Sequence, residues 1–312
     1  MKTFDILTLT VNPSLDKSTV FKGLVPEQKI RCESPVFDAG GGGINASKAI
    51  ARLGGESLCV FTAGGATGKQ LMELVAREQI ISKVISVESE TRENLIALDA
   101  NTNAQYRFGF PGGALSLEEQ QAIVATVGGL QSKFLVLSGS LNEGLPFDFY
   151  QKIAKLAKDQ GSKLIVDTSG DALRAVLETG VYLAKPNIGE LAKLVGSESL
   201  HADEADEAAH TLIEKGHAEI VVVSLGPQGA VLVSKNETHF VPAPNVAKKS
   251  TVGAGDSMVG GMVWALSQHK PLKEVVQWGV ACGSAATMNE GTQLFKAEDA
   301  RKLFGWLQKI AT

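Results

Sequence analysis

Cysteine is scarce in this 312-residue chain: Cys32, Cys59 and Cys282 are odd in number and far apart. That excludes a disulfide framework and fits a reducing, cytoplasmic setting. The five histidines are scattered, so no imidazole-based metal site is expected. No apolar run approaches the length that spans a bilayer, and Met1-Lys2-Thr3-Phe4-Asp5 lacks the apolar stretch of a signal peptide. An excess of basic charge is missing too. With 30 Lys and Arg against 34 Asp and Glu the net charge is −4, which argues against nucleic acid or a membrane surface as the main partner. A site for an anionic ligand must therefore be built locally.

Hydrophobic residues make up 44% of the chain and charged ones 21%, enough for one large core with or without a small appendage. Phe4 to Val11, Leu58 to Thr62, Phe134 to Leu137, Lys163 to Val166, Val181 to Ala184 and Ile220 to Ser224 read as strands. Ile44 to Leu53, Phe147 to Gln160 and a stretch from about Glu190 read as helices. This alternation predicts an α/β fold, a mainly parallel sheet flanked by helices. Ser18 to Phe37 and Val84 to Phe110 break it with polar alternation, Tyr106, Phe108 and Phe110 facing one way. Together they predict a discontinuous β lid (18–37 and 84–110) over a core of 1–17, 38–83 and 111–312.

The most informative block is Ser250 to Gly260. Gly253-Ala254-Gly255-Asp256 is a small-residue turn feeding an apolar helix that carries Met258, Val259, Met262 and Val263. Such a start leaves N–H groups unpaired at the positive end of the helix dipole, which makes an anion site. Asp256 beside it is either an N-cap or a base for a hydroxyl that receives a phosphoryl group. Gly40-Gly41-Gly42-Gly43-Ile44-Asn45 runs straight into a helix, which favours close approach of backbone to ligand over a linker. Two decoys fail. Gly41-x-Gly43-x-x-Ala46 lacks the acidic residue that a dinucleotide site needs near Thr62-Ala63-Gly64, and Gly64 to Lys69 has the wrong glycine spacing for a P-loop, with Gln70 in place of Ser or Thr.

Other stretches read two ways. Asn187-x-x-Glu190 has the capping-box pattern, and Ser224 to Gly229 is a turn between strands. Asp16 follows the first strand, where open α/β sheets place ligands, or is a plain loop carboxylate. Lys29, Arg31, Arg92 and Arg107 fall in the lid segments, either as solvated edge residues or as cations for a phosphate.

Thr251-Val252-Gly253-Ala254-Gly255-Asp256 with its apolar helix resembles the C-terminal signature of the PfkB family of carbohydrate kinases, the ribokinase-like group. Pro13 to Asp16, the glycine run with Asn45, Ala63 to Gly68 and Val223 to Ala230 extend the likeness from about Leu7 to Arg301. The resemblance implies a ribokinase-like fold whose lid covers a sugar and, in several members, pairs two subunits into a homodimer. It implies that Asp256 is the catalytic base and that the amides of Gly253, Ala254 and Gly255 form the hole for the transferring phosphate. Asp16, Gly41, Gly42, Gly43 and Asn45 would hold the sugar, and Lys29, Arg31, Arg92 and Arg107 its phosphate. Lys185, Asn187, Ser224, Gly226, Gly229, Val280 and Ser284 would border ATP. Glu190 would organise Mg²⁺ through a water, and the carbonyls of Ser250, Val252, Ala286 and Gly291, with Asn289, would hold K⁺.

Family members that act on fructose 1-phosphate or tagatose 6-phosphate carry Gly-Gly-Lys-Gly, with the lysine at the place of Gly42. The all-glycine run is similar to the family's 6-phosphofructokinases. The implied reaction is ATP-dependent phosphorylation of fructose 6-phosphate to fructose 1,6-bisphosphate, a glycolytic step. The other two phosphosugars are the alternatives, and a non-catalytic sugar-phosphate sensor is the reading from another class.

Overall fold

The computed structural model describes residues 4–310; residues 1–3 and 311–312, assigned above to the core, lie outside the described residues. The chain starts with β1 (Phe4–Thr10), leaves the core through β2 (Ser14–Phe21) and β3 (Val36–Gly40), and returns by α1 (Gly42–Arg52), β4 (Leu58–Ala63), α2 (Gly65–Arg77) and β5 (Ser82–Ser86). A second excursion, β6 (Arg92–Asp99) and β7 (Gln105–Gly109), leads into α3 (Leu117–Gly128), β8 (Ser132–Ser138), α4 (Phe149–Asp159) and β9 (Lys163–Asp167). Then come α5 (Gly170–Leu177), β10 (Val181–Ala184), α6 (Ile188–Val195), α7 (Ala205–Glu214) and β11 (Ala218–Ser224). Strands β12 (Ala230–Ser234) and β13 (Thr238–Val241) precede three helices, α8 (Ala254–Ser267), α9 (Leu272–Thr287) and α10 (Ala297–Ile310).

The large sheet has the order β13-β12-β11-β10-β9-β8-β1-β4-β5. It is parallel from β11 to β5 and antiparallel at β12 and β13. Side chains alternate between its faces as a pleated strand requires. In β8, Phe134 and Val136 join the cluster under α1, α8, α9 and α10, while Leu135 and Leu137 join the one under α3 to α7. The order changes direction between β8 and β1, and a crevice at such a switch point is where doubly wound sheets bind ligands. Helix α8 lies over that crevice, packed on α1 close enough that a Cβ on Gly260 would sit 2.5 Å from Ala49 Cβ. This tight packing fixes Asp256 relative to Asn45.

The second sheet has the order β3-β2-β6-β7. Its edges differ from the 18–37 and 84–110 segments. Strand β2 begins at Ser14, straight after the turn that ends β1, so Asp16 stands on the second sheet rather than on the core. Ser82–Ser86 pairs with β4 as the outer strand of the large sheet, so the stretch from Val84 begins in the core. The stretch read as strand around Lys29 and Arg31 is irregular. Pro26 and Pro35 cannot donate to a ladder and Glu27 takes a φ of +63°, which leaves one isolated bridge, Phe21 to Cys32. Tyr106 packs on Phe21, whereas Phe108 and Phe110 stay 47% and 53% exposed, and Leu24, Val25 and Val36 are exposed as well. No helix among the described residues is long and apolar enough to cross a membrane.

Candidate active site

Helix α8 opens on Gly253, whose φ of +71° lies in the left-handed region that residues with a side chain enter only under strain. No side chain caps this helix, so first-turn N–H groups remain available at the positive end of its dipole. Asp256 is therefore not the N-cap. Its Oδ2 accepts a hydrogen bond from Asn45 Nδ2 at 2.8 Å, which ties the start of α8 to the first turn of α1 across 211 residues of sequence. Burial, then the negative charge of Asp167, push the Asp256 pKa up to about 6, while Asn45 and Lys185 pull it down and Asp16 adds to the rise. The carboxylate is thus still ionised at neutral pH, and more basic than an ordinary one.

Lys185 follows β10 and is 6% exposed. Its Nζ pairs with Asp167 Oδ1 at 3.0 Å, and a Cβ built on Gly255 would lie 3.7 Å from that Nζ. Burial alone would lower its pKa. Asp167, with Asp256 and Glu190, more than offsets burial and keeps the ammonium charged. Two residues on, Asn187 caps α6: its Oδ1 accepts from Glu190 N and its own N–H donates to Glu190 Oε2, both at 2.9 Å. The capping box is real and leaves Glu190 Oε1 without a hydrogen-bond partner among the described residues, with burial raising the Glu190 pKa against the opposing pull of Asn187 and Lys185. A free carboxylate oxygen here fits Mg²⁺, which takes one or two carboxylates and fills its sphere with water and phosphate oxygens. Ser224 N donates to Pro186 O at 3.0 Å, so the Ser224–Gly229 turn lies against this loop. Gly229 has a packing reason of its own, since a Cβ there would sit 2.0 Å from Val241 O. Val280 lies in the core at 5% exposure, and Ser284, one turn along α9, is half-buried.

On the second sheet Asp16 is 6% exposed and its Oδ1 accepts from Ser14 Oγ at 2.7 Å and Asn94 Nδ2 at 2.8 Å. Burial raises its pKa, with Ser14, Asn94, Lys48 and Arg92 opposing. Half-buried Arg92 donates through Nε to the Asn12 carbonyl at 3.3 Å, and through Nη1 to Asn94 Oδ1 at 3.2 Å and the Phe110 carbonyl at 3.3 Å. Gly41 is the N-cap of α1, and Gly42 and Gly43 open its buried first turn. A Cβ on Gly42 would lie 2.2 Å from Ser138 Oγ and 2.9 Å from Gly139 N.

The other lid cations go elsewhere. Lys29 and Arg31 are exposed and line a cavity of about 470 Å³ with Val20, Lys22, Val25 and Glu33, and none of Asp16, Arg92 or Asp256 lines it. Arg107 bonds Gln105 Oε1 on its own strand and Thr251 Oγ1 in the loop before Gly253. It therefore fastens the second sheet to the loop before Gly253.

The oxygens assigned to K⁺ lie on two adjoining segments. The N–H groups of Lys249 and Ser250 both reach Thr287 O, and Ser250 Oγ donates to Gly291 O at 2.7 Å. Asn289 Nδ2 donates to Ala285 O at 3.1 Å. The donor set is carbonyl and amide oxygen, the kind that replaces the hydration shell of an alkali cation. Val252, whose N–H is held by Ser250 Oγ, completes the first segment, and Ala286 O, which accepts from Asn289 N, begins the second.

Several residues were missed by sequence reasoning: Asn94, Ser14, Asp167, Gln105 and Thr251. Only Asp167 carried a usable signal, as the carboxylate at the end of a parallel strand.

The sequence matches the pfkB family carbohydrate kinase pattern over residues 10–299. It is 44% identical over 306 residues to the ATP-dependent 6-phosphofructokinase isozyme 2 of Escherichia coli, covering 97% of this chain and 99% of that one. Identity to the enzyme of the same name from Mycobacterium tuberculosis is 40% over 301 residues, covering 96% and 88%. Crystal structures of E. coli phosphofructokinase-2 in complex with potassium, with fructose 6-phosphate, and as a tetrameric inhibited form superpose with TM-scores of 0.94, 0.93 and 0.92. They are 44%, 42% and 42% identical, covering 98% of this chain and 100% of theirs. The chain belongs to the pfkB family of carbohydrate kinases.

Proposed function

We infer that this chain is an ATP-dependent 6-phosphofructokinase that converts fructose 6-phosphate to fructose 1,6-bisphosphate, a phosphotransferase with an alcohol acceptor and a step of glycolysis. The observation that carries the reading is the Asp256 carboxylate, held by Asn45 at a glycine-opened helix start beside Lys185. Asp256 accepts the proton of the C1 hydroxyl as the phosphoryl group arrives. A loose transition state asks more for positioning than for base strength, and a pKa near 6 suffices. The amides of Gly253, Ala254 and Gly255, with Lys185, face the charge on the transferring group. Asp16 accepts a sugar hydroxyl and Arg92 takes the 6-phosphate. The Asn187–Glu190 and Ser224–Gly229 loops border ATP, with Val280 and Ser284 on its adenine side.

Mg²⁺ held near Glu190 supplies charge neutralisation across the phosphates, and the Ser250–Gly291 segments would hold K⁺. The exposed Phe108, Phe110, Leu24, Val25 and Val36 suit a lid-to-lid homodimer. Such a dimer is what would bring Lys29 and Arg31 to a sugar phosphate. The three free thiols fit a reducing, cytoplasmic setting.

An ADP-release assay with Mg·ATP against fructose 6-phosphate, fructose 1-phosphate, tagatose 6-phosphate and adenosine tests the reading. The expected kcat/KM for fructose 6-phosphate exceeds the others by at least about 10-fold, or about 1.4 kcal/mol of discrimination. Preference for another phosphosugar would overturn the substrate. No turnover by folded, ATP-binding protein would favour the sensor.

A further inference from the structure

Asn94 stands outside the reaction as described, yet its carboxamide touches both groups assigned to the sugar phosphate. The parallel pairing of β2 with β6 sets Asp16 opposite Asn94. From there Nδ2 donates to Asp16 Oδ1 at 2.8 Å and to Ser14 Oγ at 3.0 Å, while Oδ1 accepts from Arg92 Nη1 at 3.2 Å. A carboxamide can serve an anion and a cation at once, because its donor and acceptor are separate atoms.

The consequence is selective. Asp16 Oδ1 is taken by Asn94 and Ser14, and Oδ2 has no hydrogen-bond partner among the described residues. Arg92 Nε and Nη1 are likewise engaged, and Nη2 has no hydrogen-bond partner among the described residues. The spare oxygen faces bare backbone: a Cβ built on Gly40, at the head of the glycine run, would lie 2.2 Å from Asp16 Oδ2. We propose that Asn94 is a positioning residue for substrate recognition. It holds one oxygen of Asp16 and one amino group of Arg92, so the other oxygen accepts a sugar hydroxyl and the other amino group binds the phosphate of the same molecule. The carboxamide thereby sets the spacing between hydroxyl and phosphate that the site selects.

The inference rests on the sugar-phosphate kinase reading, so wild-type turnover with fructose 6-phosphate is measured first. A wild type inert to every phosphosugar overturns that reading and this inference with it. Given turnover, Asn94→Ala is expected to raise the KM for fructose 6-phosphate about 10- to 100-fold, the effect of losing hydrogen bonds to charged groups. The KM for ATP should stay at the wild-type value. Asn94→Asp, which sets a second carboxylate against Asp16, should raise the same KM at least as much. Ser14→Ala, which removes the other donor to Oδ1, should raise it less.

The pH dependence separates orientation from bulk. The Asn94 N–H lowers the Asp16 pKa, so its loss raises it. The KM of Asn94→Ala should then climb more steeply than that of the wild type as pH falls. The charged groups facing Asp16, namely Asp38 from β3, Lys48 from α1, Arg92 from β6 and Asp256 from α8, are common to both proteins. An unchanged KM for fructose 6-phosphate in Asn94→Ala would overturn the proposal. So would a fall in Tm with both KM values moving together, since that marks a merely structural role.

Discussion

Replacing Asp256 with asparagine lowers kcat by about 10²- to 10⁴-fold, the range that a positioned general base contributes, and leaves both substrates bound. The amide keeps the shape of the side chain and an oxygen that can accept from Asn45, so the helix start and its amides stay in place. What is lost is the proton acceptor. The sign of the stability change separates this from unfolding. The folded-state pKa of Asp256 is raised, to about 6, so its charged form at neutral pH is disfavoured by burial and by Asp167. Stability from that group is fully present below the unfolded carboxylate pKa and falls as pH rises through about 6. A neutral asparagine avoids that penalty, and the variant's Tm at pH 8 should equal or exceed the wild-type value. The wild-type kcat should fall as pH drops through about 6, because a protonated Asp256 cannot accept. A variant with near-normal turnover, or a pH profile flat to pH 5, would remove Asp256 from the chemistry.

Gly42→Lys is the second large effect. Reading the sequence alone, the glycine stands for fructose 6-phosphate against the phosphosugars of the Gly-Gly-Lys-Gly members. The packing adds a constraint that is independent of substrate. With Ser138 Oγ 2.2 Å and Gly139 N 2.9 Å from the new Cβ, any side chain must push β8 away from α1. Overpacking of this kind costs about 1–3 kcal/mol or more, and here it displaces the loop proposed to hold the sugar. The lysine variant should lose several degrees of Tm and at least about 100-fold in kcat/KM, with no gain toward fructose 1-phosphate or tagatose 6-phosphate. Scanning calorimetry and the substrate panel check both parts. A stable lysine variant with inverted preference would show that specificity alone chose the glycine.

Local chemistry made the helix starts legible. Gly253 to Asp256 and Asn187 to Glu190 carry their signals within a few residues, and the turn and capping box formed where those signals stood. The parallel core was legible for the same reason, since Leu58 to Thr62 and Val181 to Ala184 are short apolar runs between turn residues. Long-range contacts were not. Nothing near Asn45 announces that it serves Asp256, and Asn94 looks like any polar strand residue until β2 lies beside β6. The alternation around Lys29 and Arg31 suggests strand, but Pro26, Pro35 and the left-handed Glu27 interrupt the ladder there. Asp16 looks like a core residue in the sequence, because the turn from β1 into β2 is short enough to hide the change of sheet.

The most direct test is ³¹P NMR of the wild-type protein with equimolar Mg·ATP and fructose 6-phosphate. A new phosphomonoester at C1, appearing one for one with ADP while the 6-phosphate signal persists, is the predicted result. ADP with inorganic phosphate and no new ester, or no consumption of ATP, would contradict it.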